Sequence, residues 1–338
     1  MESMGRAGTV TDQRIAALDG LRGMAIAYVV LGHFSPEWLK AAGSFGVTLF
    51  FALSGRLMAD VLFIGNMDWR EFAVRRVARL YPALLVFLIT MFIVSEILGR
   101  TDLLVSYWCY PIFAVNFVAS LQAKVLPFDH LWSVSLEVQT YVVLAFIATG
   151  LSGRKRHAAL LIGAVFCFTN GLVRTYIAHQ NPFMVYWRPD VGAAVVFAAA
   201  FFRLLLKDVH VAPWTIPVAL CTANGLMLFT TEPWISVTLN GLLLAFVGAT
   251  ADRSASPLLS LLQSPPLIYL GTISYSLYIW QQLFMYAHRS GFPLLAALVA
   301  SLLTAAFSYN HFERPGKNAI LLIWRRYVSK ATPCTPHH

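Results

Sequence analysis

Apolar segments of about twenty residues recur along nearly the whole of this chain, and that is the length a helix needs to cross a bilayer core. They fall near residues 15–34, 43–64, 82–98, 131–151, 157–178, 189–207, 211–230, 234–250, 267–287 and 292–312. Inside lipid the backbone must satisfy its own hydrogen bonds, so each segment is expected to be helical. The expected fold class is an all-α polytopic membrane protein with about ten transmembrane helices. Tyr107 to Leu121 is shorter and interrupted by Pro111, which reads as a re-entrant or interfacial segment. Charged residues make up only 12% and mean hydropathy is +0.66. A soluble globular class is thereby excluded, because about a quarter of residues are charged there.

No polar block of soluble-domain length interrupts the series. One membrane domain is therefore expected over 15–315, between an N-terminal tail, 1–14, and a C-terminal tail, 316–338. The segment behind MESMGRAGTVTDQR lacks a small-residue cleavage site and reads as a retained helix. Basic residues then orient the chain. With a cytoplasmic N-terminus, that side receives Arg6 and Arg14, the cluster Arg70, Arg75, Arg76 and Arg79, and Arg154, Lys155 and Arg156. It also receives Arg203, Lys207, Arg253, Arg314, Lys317, Arg325, Arg326 and Lys330. The other side receives only Lys40, Arg100, Lys124, Arg174, Arg188 and Arg289, with Arg22 and Arg56 inside spans. The positive-inside bias predicts an even number of crossings and both termini cytoplasmic. Topology accounts for the net charge of +9, so no nucleic-acid partner is required.

Arg22 and His33 sit in the first apolar segment, IAALDGLRGMAIAYVVLGHF, and ionisable groups within spans mark functional sites. Eleven residues at about 100° each end about 20° past three turns, so both side chains share one helix face about 16 Å apart. Glu137, in HLWSVSLEVQTY, enters the fourth span from the opposite side and reaches about 10 Å below that surface. At a similar depth, its carboxylate could hold the His33 tautomer and stabilise the imidazolium, as a general base requires. The same residues are compatible with a polar pair that only joins helices.

In EFAVRRVARLYP, Arg75 and Arg79 are spaced i, i+4 and Arg76 and Arg79 i, i+3, so on a helix they form one cationic patch. Such a cluster matches phosphate oxygens in bidentate geometry. A basic segment touching anionic lipid has the same composition. Cys109, Cys167, Cys221 and Cys334 show no paired spacing, so neither a disulfide framework nor a metal site is expected. His130 and His311 are placed at helix ends in the interface. Trp69, Trp132, Trp187, Trp234 and Trp324 are placed near interfaces as anchors, with Trp132 also along an acceptor path. No site is expected at His337 or His338.

Taken in order, these segments resemble the acyltransferase-3 family of integral membrane O-acyltransferases. LDGLRGMAIAYVVLGHF is similar to the family's Arg-x10-His motif and SFGVTLFFALSG to its glycine-flanked second helix. FAVRRVARLYP resembles its arginine-rich loop, HLWSVSLEVQTY its Ser-x-Glu-x-x-Tyr helix, and SYSLYIWQQLF with YNHFERP its closing pair. The resemblance covers about Ile15 to Pro315. One departure is Gln281, where many relatives carry a histidine after the tryptophan, and no proton-transfer role is assigned to it.

The resemblance implies a bacterial enzyme of the cytoplasmic (inner) membrane, moving an acyl group, commonly acetyl from acetyl-CoA, onto a hydroxyl of a glycan, lipid or small molecule. His33 and Arg22 are the implied essential pair, and Arg75, Arg76 and Arg79 the implied donor-phosphate residues. Ser135, Glu137 and Tyr141 match the later motif, and Glu313 and Arg314 the last. The mechanism expected runs the donor's pantetheine arm past Arg22 to His33, which deprotonates the acceptor hydroxyl, with direct attack or an acyl-His33 intermediate both open. Arg22 either contacts the arm or holds structure through Asp19. Ser135, Tyr141 and Trp132 are the substrate-binding candidates, with Tyr141, Ser135 or a backbone amide as the oxyanion donor. The acceptor is expected to be met by the membrane domain and its loops, first as a surface or exported glycan, then as an antibiotic or lipid hydroxyl. A transporter or flippase would require matching broken helices in two halves, and no such repeat is visible. A scaffold without transfer activity would leave Arg22 and His33 dispensable.

Overall fold

A computed structural model of the protein describes residues 2–100, 107–122, 128–229, 233–254 and 256–331. Among the described residues there are helices and turns and no strand. In chain order they are α1 (Glu2–Phe34), α2 (Ala41–Met58) with a π-helical extension Ala59–Ile64, α3 (Trp69–Ile97) and α4 (Val115–Gln122). Next come α5 (Trp132–Gly150), α6 (Arg154–Leu172), the short α7 (Pro182–Tyr186) and α8 (Pro189–Gly192), α9 (Ala194–Leu205), α10 (Thr215–Phe229) and α11 (Pro233–Thr250). The last are α12 (Pro257–Leu262), α13 (Pro265–Thr272), α14 (Ser274–Arg289), α15 (Leu294–Ser308) and α16 (Arg314–Ala331), with the π turn Tyr309–Glu313 joining the final pair.

Five described stretches are long and apolar enough to cross a membrane: Glu37–Ile64, Trp69–Ile97, Asp129–Gly150, Arg154–Ile177 and Leu294–Ser329. This is a helical membrane protein, but several expected spans are shorter or broken. The segment 189–207 divides at Ala193, and α9 has 12 residues buried on almost every side. The segment 267–287 divides at Ile273 into α13 and α14. Apolar runs enclosed by other helices carry the same hydropathy as runs facing lipid, which is why periodicity alone merged them. Between Tyr107 and Gln122 there is only a 3-10 turn and the eight-residue α4, packed on α5. The polar N-terminal stretch is helical and continuous with α1, and α16 runs through the expected boundary near residue 315.

α1 is the central strut, packed on α2, α13 and α14. Small residues allow its close crossings. A Cβ on Gly23 would stand 2.0 Å from the Leu267 carbonyl oxygen, and one on Gly46 would stand 2.4 Å from that of Ala25. α3 opens on an Asp68 cap that accepts from the Arg70 and Glu71 amides at 2.9 and 3.4 Å. That cap starts the helix early, so the arginine segment is the first part of α3 and its side chains divide between the helix's faces.

An ionic cluster ties α2, its π extension, α9 and the segment after α11. Arg56 reaches Asp252 at 2.9 Å and Asp60 at 3.3 Å, while Arg203 reaches Asp60 at 2.6 Å and Asp252 at 3.1 Å. Further guanidinium N–H groups donate to the Gly248 and Ala249 carbonyls at the end of α11. Arg203, counted from sequence among the cytoplasmic-side charges, is buried and neutralised within the bundle. Removing one carboxylate leaves two buried guanidinium groups to share the other. Asp252→Ala is expected to cost about 3–5 kcal/mol, read as a lowered thermal midpoint in detergent. Glu71→Ala, at the exposed pair with Arg75, should cost no more than about 1 kcal/mol.

Candidate active site

α1, α2, α5 and α14 present polar faces to one another and enclose two cavities, one near each end of α1's Arg22-to-His33 face. The first, about 740 Å³ with its mouth, is lined by Arg22, by Ser54 of α2, by Arg76 and Arg79 of α3, by Ser133, Glu137 and Tyr141 of α5, and by Tyr275 and Tyr278 of α14. Glu137 is its one lining carboxylate, and it accepts hydrogen bonds from the Ser54 and Tyr141 hydroxyls. The Arg76 guanidinium lies 5.4 Å from the Phe72 ring and 5.6 Å from the Tyr141 ring. Its Nε is buried without a hydrogen-bond partner. Arg22 reaches Asp19 at 3.4 Å, and among the described residues neither Arg76 nor Arg79 forms an ion pair. The buried Arg56 and Arg203 are matched by aspartates, whereas the half-buried Arg76 and Arg79 are not, so this cavity offers guanidinium groups that an anion could pair.

The arginine patch divides. Arg75 lies exposed and donates from Nε to Glu71 at 2.9 Å, while Arg76 and Arg79 face the cavity. At about 100° per residue, Arg76 and Arg79 share their face with Phe72, Leu80 and Ala83, and Arg75 sits at its edge. Those three apolar neighbours are all buried, a signal present in the sequence.

The second cavity, about 920 Å³ with its mouth, is lined by His33 and by Lys40, Ser44, Asp129, His130, Trp132, Tyr186, Trp187, Gln282, Tyr286 and Arg289, among others. Trp132 and Trp187 stack at 5.5 Å with planes 14° apart. Gln282 Nε2 donates to Asp129 Oδ1 at 2.6 Å and to the Tyr286 hydroxyl at 2.9 Å. Several expectations change here. His130 is buried, with Nε2 3.1 Å from the Ile279 carbonyl, and Trp132 and Trp187 are core residues. Packing between α5, α8 and α14 encloses ends that hydropathy places at an interface. Trp69 is exposed, and His311 lies exposed against the Phe307 ring.

His33 and Glu137 do not meet. His33 is the penultimate residue of α1, whereas Glu137 lies five residues into α5, about 8 Å deeper by helical rise. They line different cavities. His33 instead meets Gln281, the residue denied a role by sequence, whose Oε1 and Nε2 lie 2.9 and 2.7 Å from His33 Nδ1. With Oε1 accepting from Nδ1–H, the Nε2 lone pair of the ring is left free as a base. A glutamine pair inside an apolar helix was the available signal. Ser135 lines neither cavity, its hydroxyl donating to the Leu131 carbonyl at 2.9 Å. Tyr141 belongs to the arginine cavity, so neither it nor Ser135 stands beside His33. Glu313 is buried and accepts from the Ser276 hydroxyl at 2.7 Å, while Arg314 is exposed. Cys109 and Cys167 are buried free thiols and Cys221 an exposed one. Cys334, His337, His338 and the Trp234 side chain lie outside the described residues.

The acyltransferase-3 family profile, an acyltransferase domain, matches residues 15–310. The chain belongs to that family. Similar proteins include OatA of Listeria monocytogenes, a peptidoglycan O-acetyltransferase, at 29% identity over 307 residues, 79% of this chain and 48% of OatA. YrhL of Bacillus subtilis, provisionally a peptidoglycan O-acetyltransferase, is 28% identical over 349 residues, 89% of this chain and 54% of YrhL. The chain thus spans about half the length of the curated relatives it matches. No solved structure matches it.

The His33–Gln281 contact makes a direct prediction for acyl transfer. Gln281→Leu keeps the bulk and removes the Nδ1 partner, so kcat should fall by up to about 100-fold with little change in KM. Gln281→Glu restores an acceptor at Nδ1 and should recover part of the loss, as steady-state kinetics on the purified variants would measure.

Proposed function

We propose that the chain transfers an acetyl group from cytosolic acetyl-CoA to a hydroxyl of an envelope glycan, working in the bacterial cytoplasmic membrane with both termini inside. The observation that carries this is the pairing of two cavities along one helix face, an arginine cavity with unpaired guanidinium groups and a histidine cavity with stacked indoles. Among the described residues, Arg76 and Arg79 line this cavity half-buried and without an ion pair. Family membership supports the acyl transfer, and the names of OatA and YrhL favour a peptidoglycan-class acceptor.

In this reading the donor's phosphates dock on Arg76 and Arg79, with Arg22 beside the arm, in geometry suited to the guanidinium fork. The thioester is carried toward His33. The acceptor enters the second cavity, where aromatic walls and a few fixed polar groups such as Asp129 and Gln282 suit a hydroxylated ring. His33 takes the hydroxyl proton, the acceptor oxygen bonds to the acyl carbon, and the carbon–sulfur bond breaks. The CoA thiolate leaves and is protonated, and the acetyl ester remains on the glycan. Glu137, held by Ser54 and Tyr141, belongs to the donor side, where it orders the cavity wall opposite the arginines.

His33→Ala should insert normally and bind acetyl-CoA, yet lose transfer by at least about 100-fold. Mass spectrometry of envelope and exported glycans from cells carrying the wild type, the variant or no gene reads the product directly. Wild-type ester content with a correctly inserted His33→Ala protein would remove the mechanism. Calorimetry tests the donor site separately. Arg76→Lys and Arg79→Lys keep the charge and lose the planar fork, so each should weaken acetyl-CoA binding roughly tenfold to a hundredfold. Arg75→Lys should bind as wild type does, and equal affinity in all three would send the donor site elsewhere.

A further inference from the structure

We infer that Val47 and Tyr278 form a sieve between the donor and acceptor cavities and set the length of acyl group that can be transferred. The inference rests on the transfer reaction proposed above. These two side chains line both cavities, and both are nearly buried. The helices explain the arrangement. On α2, Gly43 and Ser44 line the His33 cavity, Val47 follows one turn on, and Phe51 and Ser54 continue the face into the arginine cavity. On α14, Tyr275 lines the arginine cavity, Gln282 the His33 cavity, and Tyr278 lies between them. A thioester entering past the arginines must bring its acyl carbon to this pinch, with the acyl chain seated between the two walls, to meet an oxygen activated by His33.

The two walls differ in freedom. The Tyr278 hydroxyl donates to the His130 carbonyl at 2.7 Å and lies 2.6 Å from the Ser133 hydroxyl. Those partners belong to opposite sides of the partition, because Ser133 lines the arginine cavity and His130 the His33 cavity. The Phe50 and His130 rings also pack against the phenol ring. Tyr278 is pinned. Val47 is β-branched and stiff at χ1, and it stands on a helix brought close to α1 at Gly46, so its methyl groups set the width. An acetyl group presents one methyl to this gap, and each further methylene has to displace Val47.

The test uses the full-length protein, purified in its membrane-inserted form, with acetyl-, propionyl- and butyryl-CoA as donors and the glycan of the parent strain as acceptor. Val47→Ala should raise the butyryl-to-acetyl ratio of kcat/KM about tenfold, the scale of discrimination that one or two methylenes provide. Val47→Ile, the opposite change, should lower the propionyl-to-acetyl ratio. Acetyl-CoA binding by calorimetry identifies the variants that retain a formed donor site. Unchanged ratios in whichever variant binds donor would overturn the sieve while leaving the transfer reaction standing. A wild type that turns over none of the three donors would overturn the reaction, and the sieve with it.

Discussion

A guanidinium withdrawn from water into an apolar bundle has to be neutralised, and the arrangement of this protein follows from where that is done and where it is not. Arg56 and Arg203 share Asp60 and Asp252, and Arg253 adds a third cation 3.6 Å from Asp252. The set draws α2 and α9 against the end of α11, and its remaining N–H groups close on backbone carbonyls. Arg174 and Arg188 are matched in the same way by Asp190. Because Arg56 and Arg203 are paired internally, the helices around them hold one arrangement without a ligand. Arg76 and Arg79 lack such partners among the described residues, and in the proposed reaction it is the donor's phosphates that pair them.

The second organising feature is the unbroken course of α1 between Arg22 and His33. With no interruption in the helix, the two side chains keep a common face about 16 Å apart. The neighbours on α2, α3, α5 and α14 continue that face, with arginines, a carboxylate and serines at one end and histidines, indoles, a carboxamide, Lys40, Asp129 and Arg289 at the other. Close crossings at Gly23 and Gly46 hold α1 near its neighbours along this length. In the proposed reaction, that division separates a charged, water-soluble donor from a hydroxyl acceptor while leaving a narrow path between them.

Much of the site was legible in the primary structure. Ionisable residues inside apolar segments singled out Arg22, His33 and Glu137, and clustering singled out Arg75, Arg76 and Arg79, of which Arg75 is exposed and lines neither cavity. Their chemistry could be named because a charge in lipid needs a reason. Legibility ended where one helix had to be placed against another. Glu137 was matched to His33 on depth, but a difference of about 8 Å is within the uncertainty of two helix ends. Gln281 was set aside because a neutral carboxamide carries no titration of its own, although it is the group that touches His33. Trp132, Trp187 and His130 were assigned to an interface by their position near helix ends, and the packing of short α8 over α5 encloses them.

Residue order alone determined that this is a helical membrane protein, that Arg22 and His33 share a face, and that Arg76 and Arg79 lie together on α3. These are local consequences of hydropathy and of a fixed rotation per residue, which need no knowledge of neighbours. Only the tertiary structure decided which apolar helices are enclosed, which arginines are neutralised, and which residue partners the histidine. Those outcomes depend on contacts between residues as far apart as His33 and Gln281. No periodicity reports such contacts, because they are set by how closely small residues let the helices approach.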